Sequence, residues 1–574
     1  MARERFAFNR SSLWILFALA LTISLAWSVA VPVFESPDEP HHWQYARFLH
    51  DEQRLPMFGP DFVEANSPPL YYMAIAPVSR HTPLPPHLAW LNADGALVLP
   101  MPPRFYLNAG DDLTRYWPIR AARLITAVLT ACAVLFVFRA GVDLGGTVGT
   151  GVLAAGFVAF LPQFAFRSGT ISNDSLVTTG AAAFTCYVVG ALNDRLSVRD
   201  GFWTGVWLSV AYLSKINAVG LIFGVLAATL LARNTPRQRG VWTMTALGTA
   251  GILVAPWSIR NVALYGDPFA SGAMHTAVAG LIVNNPLSSP YFYTVFPNAL
   301  ARSFIGVFGW MSVWMSEAMY GLFAITFLVG MAGLLLSLAR RRDGWRAVAV
   351  LCCIFMASLA VVVHINRSFH QPQGRYLFPA LPAIGLLWGL GMSELLSRWR
   401  RALTIAWSLV LMLAVLNAYI LVRYIVRSYP PVVPTLKTSV ARLAQPAYTS
   451  GLQTAADGWL DVTNGDPQVG FATNAPADEY AFLEFAIEGQ CPISIVPGSV
   501  YFALDGGPGN EAQRVGFIWK ADGIRRKVIV PLVTNTRWRG RATTLRIDPV
   551  EPAGQQEVGG RLRITDVSLR GAPE

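Results

Sequence analysis

The sequence predicts a polytopic α-helical membrane protein with a β-rich domain at its C-terminal end. Three observations lead there. Apolar runs recur along the first three quarters of the chain, each about 20 residues long, which a hydrocarbon core of ~30 Å demands of a spanning helix. Only 14% of the 574 residues are charged against 53% hydrophobic, and the mean hydropathy is +0.41; a soluble chain carries about 25% charge. Beyond residue 445 the long runs give way to short alternating ones divided by Gly, Pro, Asn and Asp, the punctuation of strands and turns.

Hydropathy places eleven spans, at 12–33, 118–139, 145–166, 175–193, 201–214, 216–232, 241–259, 320–339, 346–364, 377–396 and 402–424. The fifth and sixth are divided only by "LSKIN" (Leu213 to Asn217), and hydropathy alone allows two short spans or one broken helix. Charge decides between them. Basic residues in short loops mark the cytoplasmic side. With the N-terminus inside, the groups Arg3, Arg5 and Arg10, then Arg195 and Arg199, then "ARNTPRQRG", "ARRRDGWR" and "SRWRR" all stay inside only if the chain turns at Lys215. The first span is flanked by Arg, exceeds a signal-peptide core and lacks a small-residue cleavage site, so it reads as a retained signal-anchor.

An odd number of spans puts the C-terminus outside. The expected organisation is a membrane domain over 1–430, with a long outer loop at 35–117, and an extracytoplasmic β-sandwich over 445–574. "YAFLEFAI", "VGFIWKA", "RKVIVPLV", "TTLRIDPV" and "GRLRITDVSL" read as its strands, in a domain large enough to bury its own core. Cys491 is its single cysteine, which excludes an internal disulfide framework. The other four cysteines lie in apolar runs and pack as small hydrophobes. The net charge of +11 comes largely from the anchoring arginines. No basic run is interleaved with aromatics, so nucleic acid is not an expected partner.

This topology gathers the unusual polar residues on the outer face. Asp38 and Glu39, in "VFESPDEPHHWQYARFLH", follow the first span; Asn173 and Asp174, in "FRSGTISNDSL", precede the fourth. Lys215 is in the break. Arg260 and Asp267, in "APWSIRNVALYGDPF", end the seventh span, while Arg375 and Tyr376, in "HQPQGRYLFPALP", open the tenth. Ionisable groups at membrane depth are costly and by default mark function. Plainer readings exist for several. Arg120, Arg123 and Lys215 suit snorkelling anchors, Asp174 suits a helix cap, and Arg260 with Asp267 suits a pinned turn. Asp38 and Glu39 resist one, because adjacent carboxylates repel and cap at most one helix. A helix starting near Pro40 points His41 and His42 about 100° apart, so the pair is a poor shared metal site. The sequence demands no cofactor; a divalent metal is compatible with it, and Asp38 and Asp174 are then better ligands than the histidines.

Transfer of a sugar from a lipid phosphate would use this set. A carboxylate takes the acceptor hydroxyl's proton, and cations meet the negative charge developing on the departing phosphate. Lys215, Arg260, Arg375 and Tyr376 are the expected phosphate-binding residues, with His41 and His42 toward the acceptor. Amphipathic pieces of the outer loop such as "SPPLYYMAIAPV" suit a lipid-facing groove.

These motifs resemble the GT-C superfamily of integral-membrane glycosyltransferases, in particular a bacterial subgroup of predicted membrane proteins. The likeness runs over about residues 12–425, through "SPDEPHHWQYARFL", "ISNDSL", "PWSIRNVALYGDPF", "SFIGVFGWMSV" and "QGRYLFPALP". It implies a polyprenyl-phosphate-linked sugar donor, inversion at the anomeric carbon and residence in the bacterial cytoplasmic (inner) membrane. It further implies Asp38 as catalytic base with Glu39 its partner, Asp174 as the second acidic residue, which assists or ligates metal in some branches, and Arg375 on the lipid phosphate. His41-His42 departs from the small and apolar residues usual after the acidic pair, which bears on the acceptor. The tail, through "LRIDPV…GGRLRITDVSL", is similar to carbohydrate-binding modules attached to some of these enzymes.

The expected function is transfer of a sugar to a cell-envelope glycan or glycolipid. The alternatives are a glycan polymerase or ligase with a lipid-diphosphate donor, and a non-enzymatic lipid or glycan transporter. Transporters show paired repeats and midplane polar sites, whereas here no repeat is evident and the polar residues share one face. A surface binding protein would not need eleven spans.

Overall fold

In the computed structural model the described residues are 2–58, 62–80, 113–193, 196–277, 285–311, 313–340, 344–429, 439–443, 445–507, 509, 513–532, 535, 537–550 and 559–571. Residues 81–112 of the expected outer loop lie outside them, as do Arg195, Arg341 and Arg342 of the basic loops. Helices α1 (Ala2–Ala30) and α4 (Leu113–Gly145) frame α2 (Glu39–Glu52) and α3 (Leu70–Ile75) of the outer loop. Next come α5 (Val148–Phe160), α6 (Pro162–Ser168), α7 (Asp174–Leu192), α8 (Val198–Ser214), α9 (Ile222–Leu231) and α10 (Pro236–Tyr265). Short α11 (Ser271–Ala277), α12 (Tyr291–Thr294) and α13 (Phe296–Gly306) lead to α14 (Glu317–Arg340), α15 (Trp345–Ser368), α16 (Leu381–Leu396) and α17 (Ala402–Ile420).

A helical segment stands at each of the eleven expected spans. Among the described residues seven helices are long and apolar enough to cross a membrane, and an eighth if α5 and α6, bent by 65°, count as one. Pro162 makes that bend, since it lacks the amide that would continue the ladder. The protein is a multi-pass membrane protein. Glycines let its helices meet backbone to backbone: Gly391 of α16 lies on the Gly330 carbonyl of α14, Gly389 on Ala154 of α5, and Gly180 of α7 on Ala211 of α8. In a bilayer, where lipid is as apolar as leucine, such close packing is what holds helices together.

The direction of α9 settles the break at Lys215. Gly201 lies against the backbone of Trp242 and Gly205 against that of Ala246, so α8 and α10 run the same way. The Thr229 hydroxyl of α9 meets that of Thr243 at 2.5 Å, which brings the end of α9 back beside the start of α10. The chain therefore reverses at Lys215, whose backbone is extended (φ −157°, ψ 127°). A 3₁₀ turn, Ile216–Leu221, starts the return. The reversal sets Lys215 at the same end of the bundle as the start of α7, which it touches.

The C-terminal region is all antiparallel, and each expected strand run coincides with a strand. A 23-residue strand, Phe482–Leu504, organises it. Its first half pairs with Arg526–Pro531 and Arg561–Arg570, its second with Arg514–Asp522 and Arg541–Asp548. Alternate residues from both halves face one core, where the Phe485 and Phe517 rings meet edge to face at 5.3 Å.

Candidate active site

Asp38 begins α2 in a left-handed conformation (φ 63°), which Asp tolerates better than most residues. It stands at the N-cap position, yet its carboxylate makes no capping bond. It reaches instead to the first turn before α16, where Arg375 Nη2 donates to Asp38 Oδ2 at 2.5 Å. Arg375 is held from behind. Its Nε donates to Gln373 Oε1 at 2.7 Å, and Gln373 Nε2 in turn donates to Gln371 Oε1 at 2.7 Å. Gly374 makes this possible, because a side chain there would strike the Phe304 backbone, while its own amide donates to Ser303 Oγ at 2.8 Å.

Arg375 also faces Asp174, with Nη1 4.0 Å from Oδ2. Asp174 is the first residue of α7 and completely buried. Lys215 Nζ donates to its Oδ1 at 2.5 Å and Arg167 Nε to its Oδ2 at 3.1 Å. Arg167 lies at the end of α6, and its other nitrogens hold Ser36 Oγ, the Pro37 carbonyl and Ser172 Oγ. Four distant segments thus converge, and in this chain of contacts three cations meet two carboxylates. The mouth is at Asp38 and Lys215, whose side chains keep 25% and 14% of their exposure. The Tyr376 ring lies there too, 4.9 Å from Lys215 Nζ. Burial works to raise the Asp38 carboxyl, but Arg375, with Arg167 behind it, outweighs it and holds the group well below the usual carboxylate range.

Residues 61–269 match the family of dolichyl-phosphate-mannose-protein mannosyltransferases. The match takes in Asp174, Lys215 and Arg260 but neither Asp38 nor Arg375. No curated protein sequence matches the chain. Among solved structures, the Archaeoglobus fulgidus oligosaccharyltransferase in complex with Zn and sulfate is similar at TM-score 0.42 and 16% identity, over 71% of this chain and 52% of that one. The chain thus spans about half the length of that protein. ArnT from Cupriavidus metallidurans, bound to undecaprenyl phosphate, gives 0.41 and 13%, over 71% and 70%. Arabinosyltransferase EmbB from Mycobacterium smegmatis gives 0.36 and 12%, over 97% and 64%. Likenesses of this size carry nothing about the activity of the chain.

Several expected roles need correction. Glu39, the expected partner of Asp38, is completely buried and bound elsewhere: Arg123 Nε and Nη2 donate to its two oxygens, each at 2.7 Å. The amides of Phe34 and Ile171 donate to the same oxygens, each at 2.9 Å. Arg123 is no snorkelling anchor. Its remaining hydrogens go to the carbonyls of Ser28, Val31 and Pro32, so all five guanidinium donors are used on Glu39, the end of α1 and the turn after it. Asp174 does not cap α7; Asn173 occupies that position and the Asp174 carboxylate points into the ion network. Arg260 stands apart from Arg375 and Lys215, donating to the Pro56 carbonyl at 2.7 Å beside Trp257 and Tyr265. It pins the outer loop.

The histidines part, as the helical step requires: His41 is exposed and His42 buried. His42 Nδ1 is 2.9 Å from the Tyr72 hydroxyl and 3.7 Å from Glu64 Oε2. Burial pushes the His42 pKa down to about 4, against the pull of Glu64 and Asp38, so the imidazole is neutral. For a divalent ion, the expected pair Asp38 and Asp174 fits poorly, since both Asp174 oxygens are occupied by cations. Arg167, Gln373 and Glu64 were not singled out in the sequence, and Arg123 was read there only as a snorkelling anchor. Only Arg167, a charge closing the apolar "LPQFAFR", offered a signal there.

Proposed function

We propose that the protein is a membrane-embedded glycosyltransferase that moves a sugar from a polyprenyl-phosphate donor to a cell-envelope glycan or glycolipid. The reaction takes place at the outer face of a bacterial cytoplasmic membrane. The observation that carries this reading is the contact between Arg375 and Asp38. A fork that fits phosphate and a carboxylate that fits a proton stand together, at the end of the bundle where apolar helices give way to loops. The match to a lipid-phosphate-sugar transferase family over 61–269 supports the reaction class.

The geometry supports a sequence of events. While Arg375 holds it, Asp38 is a poor base, because a group with a depressed pKa accepts a proton weakly. A donor phosphate entering at Lys215 and Tyr376 competes for the Arg375 fork, which pairs with phosphate as readily as with carboxylate. Asp38 regains its basicity when the guanidinium turns, so the base forms only where a donor is bound. The acceptor oxygen then attacks the anomeric carbon from the side opposite the phosphate. Its proton passes to Asp38, and the carbon–oxygen bond to phosphate breaks with its electron pair leaving on polyprenyl phosphate. Arg375 and Lys215 meet that charge, and single displacement inverts the carbon. Asp174 and Arg167 position the two cations.

Release of polyprenyl phosphate from a panel of polyprenyl-phosphate sugars, with envelope glycolipid extract as acceptor, tests the reading in detergent-purified protein. Acceptor-dependent release that is lost in Asp38→Asn supports it. No release with any donor, or wild-type release by Asp38→Asn, overturns it.

A further inference from the structure

We propose that Asp38, His42 and Glu64 form a site for a divalent transition-metal ion with the preferences of Zn²⁺ or Mn²⁺. Asp38, at the N-cap of α2, and His42 are tied by the helix's first backbone bond, in which the His42 amide donates to the Asp38 carbonyl at 2.9 Å. Glu64 comes from the 3₁₀ turn Val63–Asn66 of the outer loop. One ligand atom from each of the three lies within 4.8 Å of the other two. Metal–ligand bonds of 2.0–2.2 Å hold neighbouring ligand atoms roughly 3–3.5 Å apart, so the triangle closes on an ion by at most roughly 1.3–1.8 Å. Glu64, 21% exposed in its side chain, is the member that would move, giving up the bond that Ser67 Oγ donates to its Oε2 at 2.9 Å.

A second observation concerns unpaired polar atoms in the cluster and beside it. His42 is 2% exposed, and its Nε2 is buried with no hydrogen-bond partner among the described residues. Asn173, 1% exposed, is alike: its Nδ2 donates to the Tyr72 hydroxyl at 3.5 Å, while its Oδ1 is buried without a partner. Tyr72 stands between them, donating to Glu64 Oε2 at 3.3 Å. Buried polar atoms are nearly always paired, and two left over beside one hydroxyl point to a missing ligand. Tyr72 is placed as the outer partner that orients metal ligands in such centres. One imidazole with two carboxylates favours Zn²⁺ or Mn²⁺ over Mg²⁺ and Ca²⁺, which prefer all-oxygen surroundings. Asp174, with cations on both oxygens, has no part in it.

The test is metal binding by full-length, chelator-stripped protein in detergent, which needs no turnover and so stands or falls apart from sugar transfer. Titration with Mn²⁺, followed by its electron paramagnetic resonance, and with Zn²⁺, followed by calorimetry, should each show one ion per chain. His42→Gln and Glu64→Gln should each weaken that affinity at least tenfold, and Tyr72→Phe by about 10–100-fold as an outer-shell change. Asp51→Asn, an exposed carboxylate further along α2, should leave binding unchanged. Should His42→Gln fail to fold, Glu64→Gln decides, because Glu64 is partly exposed. Absence of stoichiometric binding, full-strength binding in Glu64→Gln, or an equal response to Mg²⁺ would each overturn the proposal.

Discussion

Arg375, at the entry to α16, donates from Nη2 to Asp38 Oδ2 at 2.5 Å across 337 residues of sequence. The contact closes the membrane domain on itself, linking the loop after the first helix to the loop before the sixteenth. It also sets two opposed demands on one carboxylate, which must pair with a cation at rest and accept a proton at work.

Replacing that carboxylate separates the demands. Asp38→Asn keeps the size and loses the base, so transfer should fall by about two to four orders of magnitude. Donor binding should hold or tighten, since Arg375 no longer has a competing anion. Single-turnover rates beside an equilibrium donor titration would read the two effects, and equal losses in both would reassign Asp38 to binding.

Arg375→Lys retains charge but not the fork. Apparent affinity for the lipid-linked donor should drop about tenfold or more, since a point charge cannot hold two phosphate oxygens and also reach Gln373. Unchanged affinity in a donor titration would make Arg375 a structural residue.

Glu39→Gln should act on stability before chemistry. It leaves the fully buried Arg123 guanidinium without its anion, a loss worth about 3–5 kcal/mol where a buried pair is broken. Thermal unfolding in detergent should show a clear fall for Glu39→Gln and for Arg123→Met. A normal melting temperature with abolished transfer would instead return Glu39 to the chemistry.

Gly374→Ala should injure the site without touching a charge. A methyl group there meets the Phe304 backbone, which cannot yield as a flexible side chain would. Arg375 would be displaced, with donor affinity falling by about the same factor as in Arg375→Lys. Wild-type kinetics in this variant would show that the loop has more freedom than its packing implies.

Sidedness has its own measurement. The expectation from the basic short loops is an N-terminus inside and residues 445–574 outside. A reporter active only in the cytoplasm, fused after Glu574, should be silent, and activity there would turn the site toward the cytoplasm.

What the sequence made legible was position along the membrane normal. Asp38, Asp174, Lys215 and Arg375 all lie where apolar runs stop, and a charge at such a point is costly enough to stand out in one dimension. The parting of His41 from His42 was legible too, because the helical step is fixed. Pairing was not. Whether Glu39 faces Asp38 or Arg123 depends on how the turn Val31–Asp38 folds back on α4, and hydropathy holds nothing about that. Glu64 sits in an irregular loop with no periodicity to betray its direction. Arg260 looked equivalent to Lys215 because both end a span outside, yet α10 carries it to Pro56 rather than to Asp174. The eleven expected spans each found a helix, but α8, α9 and α10 fall short as free-standing crossings. Their place is secured by the glycine contacts between helices.

The long strand Phe482–Leu504 has a consequence for how the distal domain comes apart. Because one continuous backbone supplies the shared partner of both pairs of strands, neither pair can detach while that strand keeps all its hydrogen bonds intact. The two pairs should open in a single event rather than by peeling. In native-state hydrogen exchange the amides of 482–490 and of 496–504 would then share one opening free energy and one denaturant dependence. A domain moored to a membrane by one end would in this way resist the stepwise fraying by which proteases find their first cut.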